Sequence, residues 1–395
     1  MIAATLTQPD PSPCFSEESV KIALDALLSG VRAQSDRSLE NLLLVDEILM
    51  DAAFPPSGYR RDYALAHLLS SAISEELKKL RRVFGIHPEP DDSLEAAKQA
   101  IGRDKQIAST ELLGWSWLYY HYVRVELEMS RALFCQLASI ELRTLLRYQQ
   151  HAVRRLTGSL MEREWLQRRQ RHKRRLYTRL PTLPPISFCG RNQALKQVGA
   201  MYGRSGLHYF QVFGEAGIGK TAFVQKAVGS MIDREAIDEL IWLEAPVSSE
   251  RIHQHLQQVL HELGAAISMR EYTQSRRVAF VFDGLDAWEE KGKTLETLLS
   301  DLGAAVVFLT ASDPLPLGTE TGCIALSELP AAEAKHLIRR LLNHWYIPCF
   351  ESTNLEVDSI WEQVGGNPRR ITQAVFDLQR QHSQMDRNYS SNAPL

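Results

Sequence analysis

Two periodicities divide the chain. From Ser16 to about Leu180 apolar residues recur at helical spacing, and no stretch alternates as a half-buried strand would. Val20, Leu24, Leu27 and Leu28 mark a first helix, opened by Ser16 as cap and by Glu17 and Glu18 in its first turn. A second helix is expected from about Ser38 to Ala53, before Pro55 and Pro56. A third, from about Arg61 to Phe84, carries Leu65, Leu68, Leu69, Ile73, Leu77 and Leu80 on one stripe and ends near Gly85. Beyond a linker at residues 87–90, Asp92 or Ser93 caps a helix reaching about Ile101. Ser109 to Leu180 holds no proline and only Gly114 and Gly158, which predicts one or two long helices. Trp115, Trp117, Tyr119, Tyr120 and Tyr122 read as helix-packing core rather than a ligand cage.

After Pro181, Pro184 and Pro185 the pattern changes. Short apolar runs at Leu207–Phe213, Glu239–Glu244, Arg277–Asp283 and Ala304–Leu309 alternate with helical stretches such as Ser249–Leu263. These runs read as buried strands between helices. The organisation expected is a tail over 1–15, an all-α domain over 16–160 and a basic helix with a stiff Pro-rich linker over 161–187. A strand-and-helix domain over 188–325, a helical segment over 326–384 and a tail over 385–395 follow.

The first strand runs into Gly214-Glu215-Ala216-Gly217-Ile218-Gly219-Lys220-Thr221, which fits the phosphate-loop pattern G-x-x-x-x-G-K-[ST] at every required position. Glycine lets backbone N–H groups wrap an anion without a Cβ in the way, and the helix that follows points its positive end at the same phosphates. Lys220 reaches the β- and γ-phosphates as a point charge, and the Thr221 hydroxyl suits Mg²⁺. The cofactors expected are therefore ATP or ADP with Mg²⁺. Val278–Asp283 is an apolar strand ending in a carboxylate, the place for an acid that holds Mg²⁺ through water. Thr310-Ala311-Ser312 closes the next strand, where a polar group can sense the γ-phosphate; Ser312 is the candidate.

Charge and cysteines narrow the picture. A net charge of −3 argues against a wholly basic nucleic-acid binder. The five cysteines form no C-x-x-C pair, which leaves neither a zinc site nor a disulfide framework and suits a reducing cytoplasm. The segment before Pro13 lacks the charged and apolar regions of a secretory signal, and Leu112–Val125 is too short and too polar to span a membrane. Locally the charge is different. Arg163, Arg168, Arg169, Arg171, Lys173, Arg174, Arg175 and Arg179 stand against Glu162 and Glu164. That cluster is either a solvated face paired with acids elsewhere, or a contact for nucleic acid, anionic lipid or an acidic partner.

The order Cys189-Gly190-Arg191, GEAGIGKT, VFDGLD, FLTASD, LSELPAAEA and GGNPRR resembles the STAND branch of P-loop ATPases. These are relatives of NACHT and NB-ARC switches within the wider AAA+ group. The resemblance covers residues 188 to about 380 and implies a parallel sheet between helices with a helical lid. It also implies that Arg191 and Pro368 lie near the adenine, that Asp283 serves Mg²⁺ and that Asp286 stands near the attacking water. The run Pro368-Arg369-Arg370 is instead similar to the second-sensor region of AAA+ proteins, which implies that Arg369 or Arg370 reads the γ-phosphate, the alternative being a surface role for one of them. Three departures matter: Gly284 rather than Glu follows Asp283, no Arg stands in the sensor segment, and the short stretch after Ile371 leaves no winged-helix domain to expect. The catalytic pair expected is Lys220 with Asp286, and turnover should be slow. The leading expectation is a regulatory switch whose all-α domain binds a protein partner, with nucleotide-dependent homo-oligomers as one output. The alternatives are an ATPase acting on nucleic acid through Arg163–Arg179 and a nucleotide-stabilised scaffold without turnover.

Overall fold

The computed structural model describes residues 15–29, 38–50, 60–86, 93–183, 188–205, 208–244, 248–262, 268–287, 293–318, 320–344 and 354–391. The expected tail before Phe15, the linker at 87–90 and Pro184 and Pro185 lie outside them. The chain divides into two compact units, Gln8–Arg171 and His172–Leu395.

The first unit is helical among the described residues. It comprises α1 (Glu17–Ser29), α2 (Leu43–Met50), α3 (Arg60–Val83), α4 (Leu94–Gln106), α5 (Thr110–Leu118), α6 (Arg131–Ala138) and most of α7 (Leu142–Tyr177). Ser hydroxyls start several of these: Ser93 accepts the Ala96 N–H, Ser109 that of Leu112 and Ser130 that of Leu133. The start of α2 is capped from far along the chain. The buried Glu164 carboxylate accepts the N–H groups of Leu43 and Leu44, so the helix begins later than the Ser38 expected from local signals.

The expectation of one or two long helices over Ser109–Leu180 is corrected. A π-turn at Tyr119–Val123 and a 3₁₀ turn at Val125–Leu127 separate α5 from α6. Glu128 (φ 45°) and Ser139 (φ 52°) end pieces in the left-handed region without any glycine. What these breaks gain is packing: Trp117, Tyr120 and Tyr122 are all buried, with Trp117 stacked on His121 and edge-on to Phe134. Asp104, with no exposed surface, takes a two-pronged bond from Arg81, which also donates to the Tyr120 hydroxyl.

The second unit holds a parallel sheet of β1 (Tyr209–Phe213), β2 (Glu239–Glu244), β3 (Val278–Asp283), β4 (Val306–Ala311) and β5 (Gly322–Ala325) in the order β2-β3-β4-β1-β5. Its helices are α8 (Asn192–Ser205), α9 (Lys220–Asp233), α10 (Ser249–Glu262), α11 (Met269–Ser275) and α12 (Lys293–Asp301), then α13 (Ala331–His344), α14 (Asn354–Val364) and α15 (Pro368–Ser391). Strand residues alternate between two cores. Phe210, Val212, Val281 and Phe308 join Phe223 and Val228 of α9, while Phe280, Phe282, Val307 and Leu309 join α10 and α12 through Leu256 and Leu299. Both faces are covered, which is why the strands read as nearly continuous apolar runs. A separate core of Leu337, Ile338, Leu341, Val357, Ile360 and Ile371 holds α13, α14 and α15 together. The edge strand β5 had no sequence-based expectation, and α15 continues into the stretch expected as a tail from residue 385.

Candidate nucleotide-binding site

Ligands of open α/β sheets bind beyond the carboxyl ends of the strands. There β1 turns into the phosphate loop. Gly214, Gly217 and Gly219 have φ of 147°, 79° and 95°, values that L side chains rarely adopt. Ile218 is buried in the core beneath and anchors the loop. Gly219 stands at the N-terminus of α9 with no side chain capping it, so the first-turn N–H groups remain for an anion. The Lys220 ammonium donates to the carbonyls of Gly214 (2.7 Å) and Glu215 (3.3 Å).

β4 lies between β1 and β3, so its tip separates the loop from Asp283. Thr310, fully buried, bridges the two strand ends. Its hydroxyl donates to Asp283 Oδ1 (2.6 Å) and accepts the Gly284 N–H (2.7 Å). Two residues on, the Ser312 N–H donates to Asp286 Oδ1 (2.5 Å) and the Ser312 carbonyl accepts the Gly214 N–H (3.1 Å). Ser312 thus acts through its backbone, and the side chain that meets the acid is that of Thr310. The sequence singles out Ser312; the strand register brings the Thr310 side chain to Asp283 instead.

The lid turn Gly365-Gly366-Asn367-Pro368-Arg369-Arg370 sits on the loop. The Arg369 N–H donates to the Gly217 carbonyl (3.2 Å), the Asn367 side-chain amide to that of Ala216 (3.2 Å), and Arg370 to Glu215 Oε1 (2.6 Å). Arg191 (φ 62°) donates to the Ile218 (3.0 Å) and Ser327 (2.7 Å) carbonyls, clipping the loop to the β5–α13 connection. Burial lowers its pKa from the ordinary arginine value, with Glu333 opposing the shift.

These elements enclose a cavity of about 730 Å³, a volume in the range of small-molecule sites. Ala216, Gly217, Gly219, Lys220, Thr221, Asp283, Asp286, Thr310, Pro368 and Arg369 line it, together with the apolar Leu183, Leu337 and Leu341 and with His344. Arg191, Gly214, Glu215, Ile218 and Ser312 are not among the lining residues. The Thr221 hydroxyl and Asp283 carboxylate are hard oxygen donors, and Mg²⁺ needs only one or two protein ligands beside substrate phosphates. The residues present fit that ion, which would neutralise phosphate charge. Among the described residues no group of three or more His, Cys, Asp or Glu forms a metal cage of its own.

The basic residues expected as a partner surface are largely engaged. Within the helical unit Arg163 faces Glu75 (3.8 Å), Arg168 pairs with Glu164 (2.8 Å) and Arg169 lies over Trp165. Within the other unit Lys173 pairs with Glu235 (2.9 Å), and Arg175 and Arg179 both pair with the buried Glu239. Among the described residues no helix is long and apolar enough to cross a membrane.

No protein-family model and no curated protein matches the chain. Solved structures that are similar include a Walker-type ATPase of Pyrococcus abyssi, at 10% identity over 55% of this chain and 80% of that one (TM-score 0.35). Domain III of the replication initiation protein DnaA of Thermotoga maritima is similar at 18% identity over 52% and 92% (TM-score 0.37). A mutant RuvB of Thermotoga maritima is similar at 13% identity over 50% and 65% (TM-score 0.34). From its own topology and loop, the unit His172–Leu395 has the α/β fold of a P-loop nucleoside triphosphatase.

Proposed function

We propose that the chain binds Mg·ATP at the tips of β1, β3 and β4 and works as a slow, AAA+-related switch ATPase of the STAND type. The observation that carries this reading is convergence: one cavity is lined by Lys220, Thr221, Asp283, Asp286 and Arg369. The loop N–H groups and Lys220 hold the phosphates, Thr221 and Asp283 hold Mg²⁺, and Arg369 reads the γ-phosphate from the lid. Pro368 packs near the base. Asp286 is the acid closest to the role of base, yet its Oδ1 is taken by the Ser312 N–H, and Gly284 offers no second acid. Slow turnover follows, and the same bond favours the non-hydrolysing scaffold as second reading. The helical unit Gln8–Arg171 serves as the output surface, for a protein partner or a second copy.

A γ-phosphate can shift the lid only through contacts that ADP lacks, and Arg369 supplies one. The test is hydrogen exchange across residues 16–160 with ADP and with a non-hydrolysable ATP analogue, together with sizing in both states. Different protection or size supports a switch. Identical results with nucleotide bound in both states leave the scaffold. Binding to DNA or RNA that falls steeply with salt would instead favour action on nucleic acid.

A further inference from the structure

We infer that Asn367 is a positioning residue that locks the phosphate loop to the lid and sets how fast nucleotide leaves, with the Glu215–Arg370 pair closing the lock from outside. This rests on the nucleotide-site reading above.

Asn367 is 2% exposed, and both ends of its amide are used. Nδ2 donates to the Ala216 carbonyl in the loop (3.2 Å), while Oδ1 accepts the Arg369 N–H (3.0 Å) at the start of α15. One side chain therefore caps the lid helix and grips the loop. It also fixes the backbone of Arg369, whose N–H reaches the Gly217 carbonyl.

Gly217 supplies an independent sign that this approach is built in. The phosphate pattern leaves position 217 free, yet a Cβ there would lie 2.6 Å from Arg369 Cβ and 3.2 Å from Asn367 Oδ1. The glycine is required by the lid as well as by its φ. On the lid side, a Cβ at Gly366 would lie 2.2 Å from the Leu329 carbonyl oxygen, whose residue in turn donates its N–H to the Gly366 carbonyl (2.9 Å). Loop, turn and α13 entry are thus packed backbone to backbone.

The two neighbouring arginines divide the work. Arg369 lines the cavity. Arg370 turns to Glu215 (2.6 Å) and, at 3.9 Å, to Glu328, with roughly half of each side chain in solvent. An exposed pair of this kind is screened by salt, so it suits a closure that can open rather than a permanent bond. Loop and lid can separate only once the Asn367 and Arg370 contacts part, and faster nucleotide release is the expected consequence of that separation.

The experiment is displacement of fluorescent ADP by excess ATP, followed by stopped flow on the full chain. Asn367→Ser keeps an oxygen that can cap α15 but has no amide to reach Ala216, and it adds no charge. It should release nucleotide about tenfold faster, with the melting temperature close to wild type. Arg370→Glu should release several-fold faster, and the exchange Glu215→Arg with Arg370→Glu should recover much of the loss. Release should also quicken with salt in the wild type, and less so in Arg370→Glu. Wild-type release rates in Asn367→Ser would overturn the lock, since a purely capping role tolerates serine. So would an exchange variant no slower than the single one. If the wild type binds no fluorescent nucleotide at all, the nucleotide-site reading itself fails.

Discussion

The two ends of the sheet in His172–Leu395 treat their carboxylates in opposite ways. At the carboxyl end, Asp283 and Asp286 face a cavity, and what they touch is a hydroxyl and a backbone N–H. At the amino end, Glu239 has no exposed surface and is held by two guanidiniums, Arg175 and Arg179, from the last turn of α7 and just beyond. An acid that must hold a metal needs free oxygen lone pairs and a path to solvent. An acid with neither is structural, and removing its cations leaves a charge in a place water cannot reach. The same contrast explains why the basic segment is a poor guide to partners: much of its charge is spent on Glu164, Glu235 and Glu239.

Breaking the amino end should have the largest effect. Arg175→Met with Arg179→Met leaves Glu239 unpaired and should cost about 3–5 kcal/mol in denaturant unfolding. Glu239→Gln, which frees two half-exposed arginines to water, should cost clearly less. Equal costs would mean that the burial of Glu239 does not matter. At the carboxyl end the expected signature is function without stability. Asp283→Asn keeps an acceptor for Thr310, so melting should hardly move, while the gain in ATP affinity from Mg²⁺ should drop at least tenfold, about 1.4 kcal/mol. Isothermal titration with Mg²⁺ and with EDTA checks this. Asp286→Asn keeps the bond from Ser312 and should leave binding within about twofold while turnover falls several-fold. Turnover at the wild-type rate would make Asp286 structural, like Glu239.

The smallest effect sharpens the contrast by pH. Asp238, beside Glu239, is pushed up by burial, but bonds from Arg277 outweigh this and hold its carboxyl below the ordinary 3.8. Unfolded chains take up that proton first, so its contribution is present above about pH 3.8 and is lost as pH falls through the folded value. Asp238→Asn should therefore flatten the fall in melting temperature between pH 5 and about pH 3. An unchanged slope would remove Asp238 from the acid response.

What was legible beforehand was local. The run from Gly214 to Thr221 announces itself because glycine, lysine and threonine are needed at fixed offsets, and Asp283 because an apolar strand ends there. Ser312 was the residue singled out at the end of this strand, but the register of β4 between two other strands brings Thr310 to Asp283. Asn367 stood in the quoted lid motif, yet its partner Ala216 lies 151 residues away. The breaks at Glu128 and Ser139 carry no glycine or proline, so propensity could not mark them, and α2 owes its start to Glu164. The edge strand β5, four residues long, is below what alternation can resolve.

The central claim is that the cavity at the sheet's carboxyl end takes Mg·ATP through the phosphate loop. Calorimetric titration of the full chain and of Lys220→Ala with Mg·ATP tests it most directly. Saturable binding to one site is expected, with a loss of at least tenfold, about 1.4 kcal/mol, in a Lys220→Ala protein that melts like the wild type. No binding by the wild type, or equal affinity in the folded variant, would contradict it.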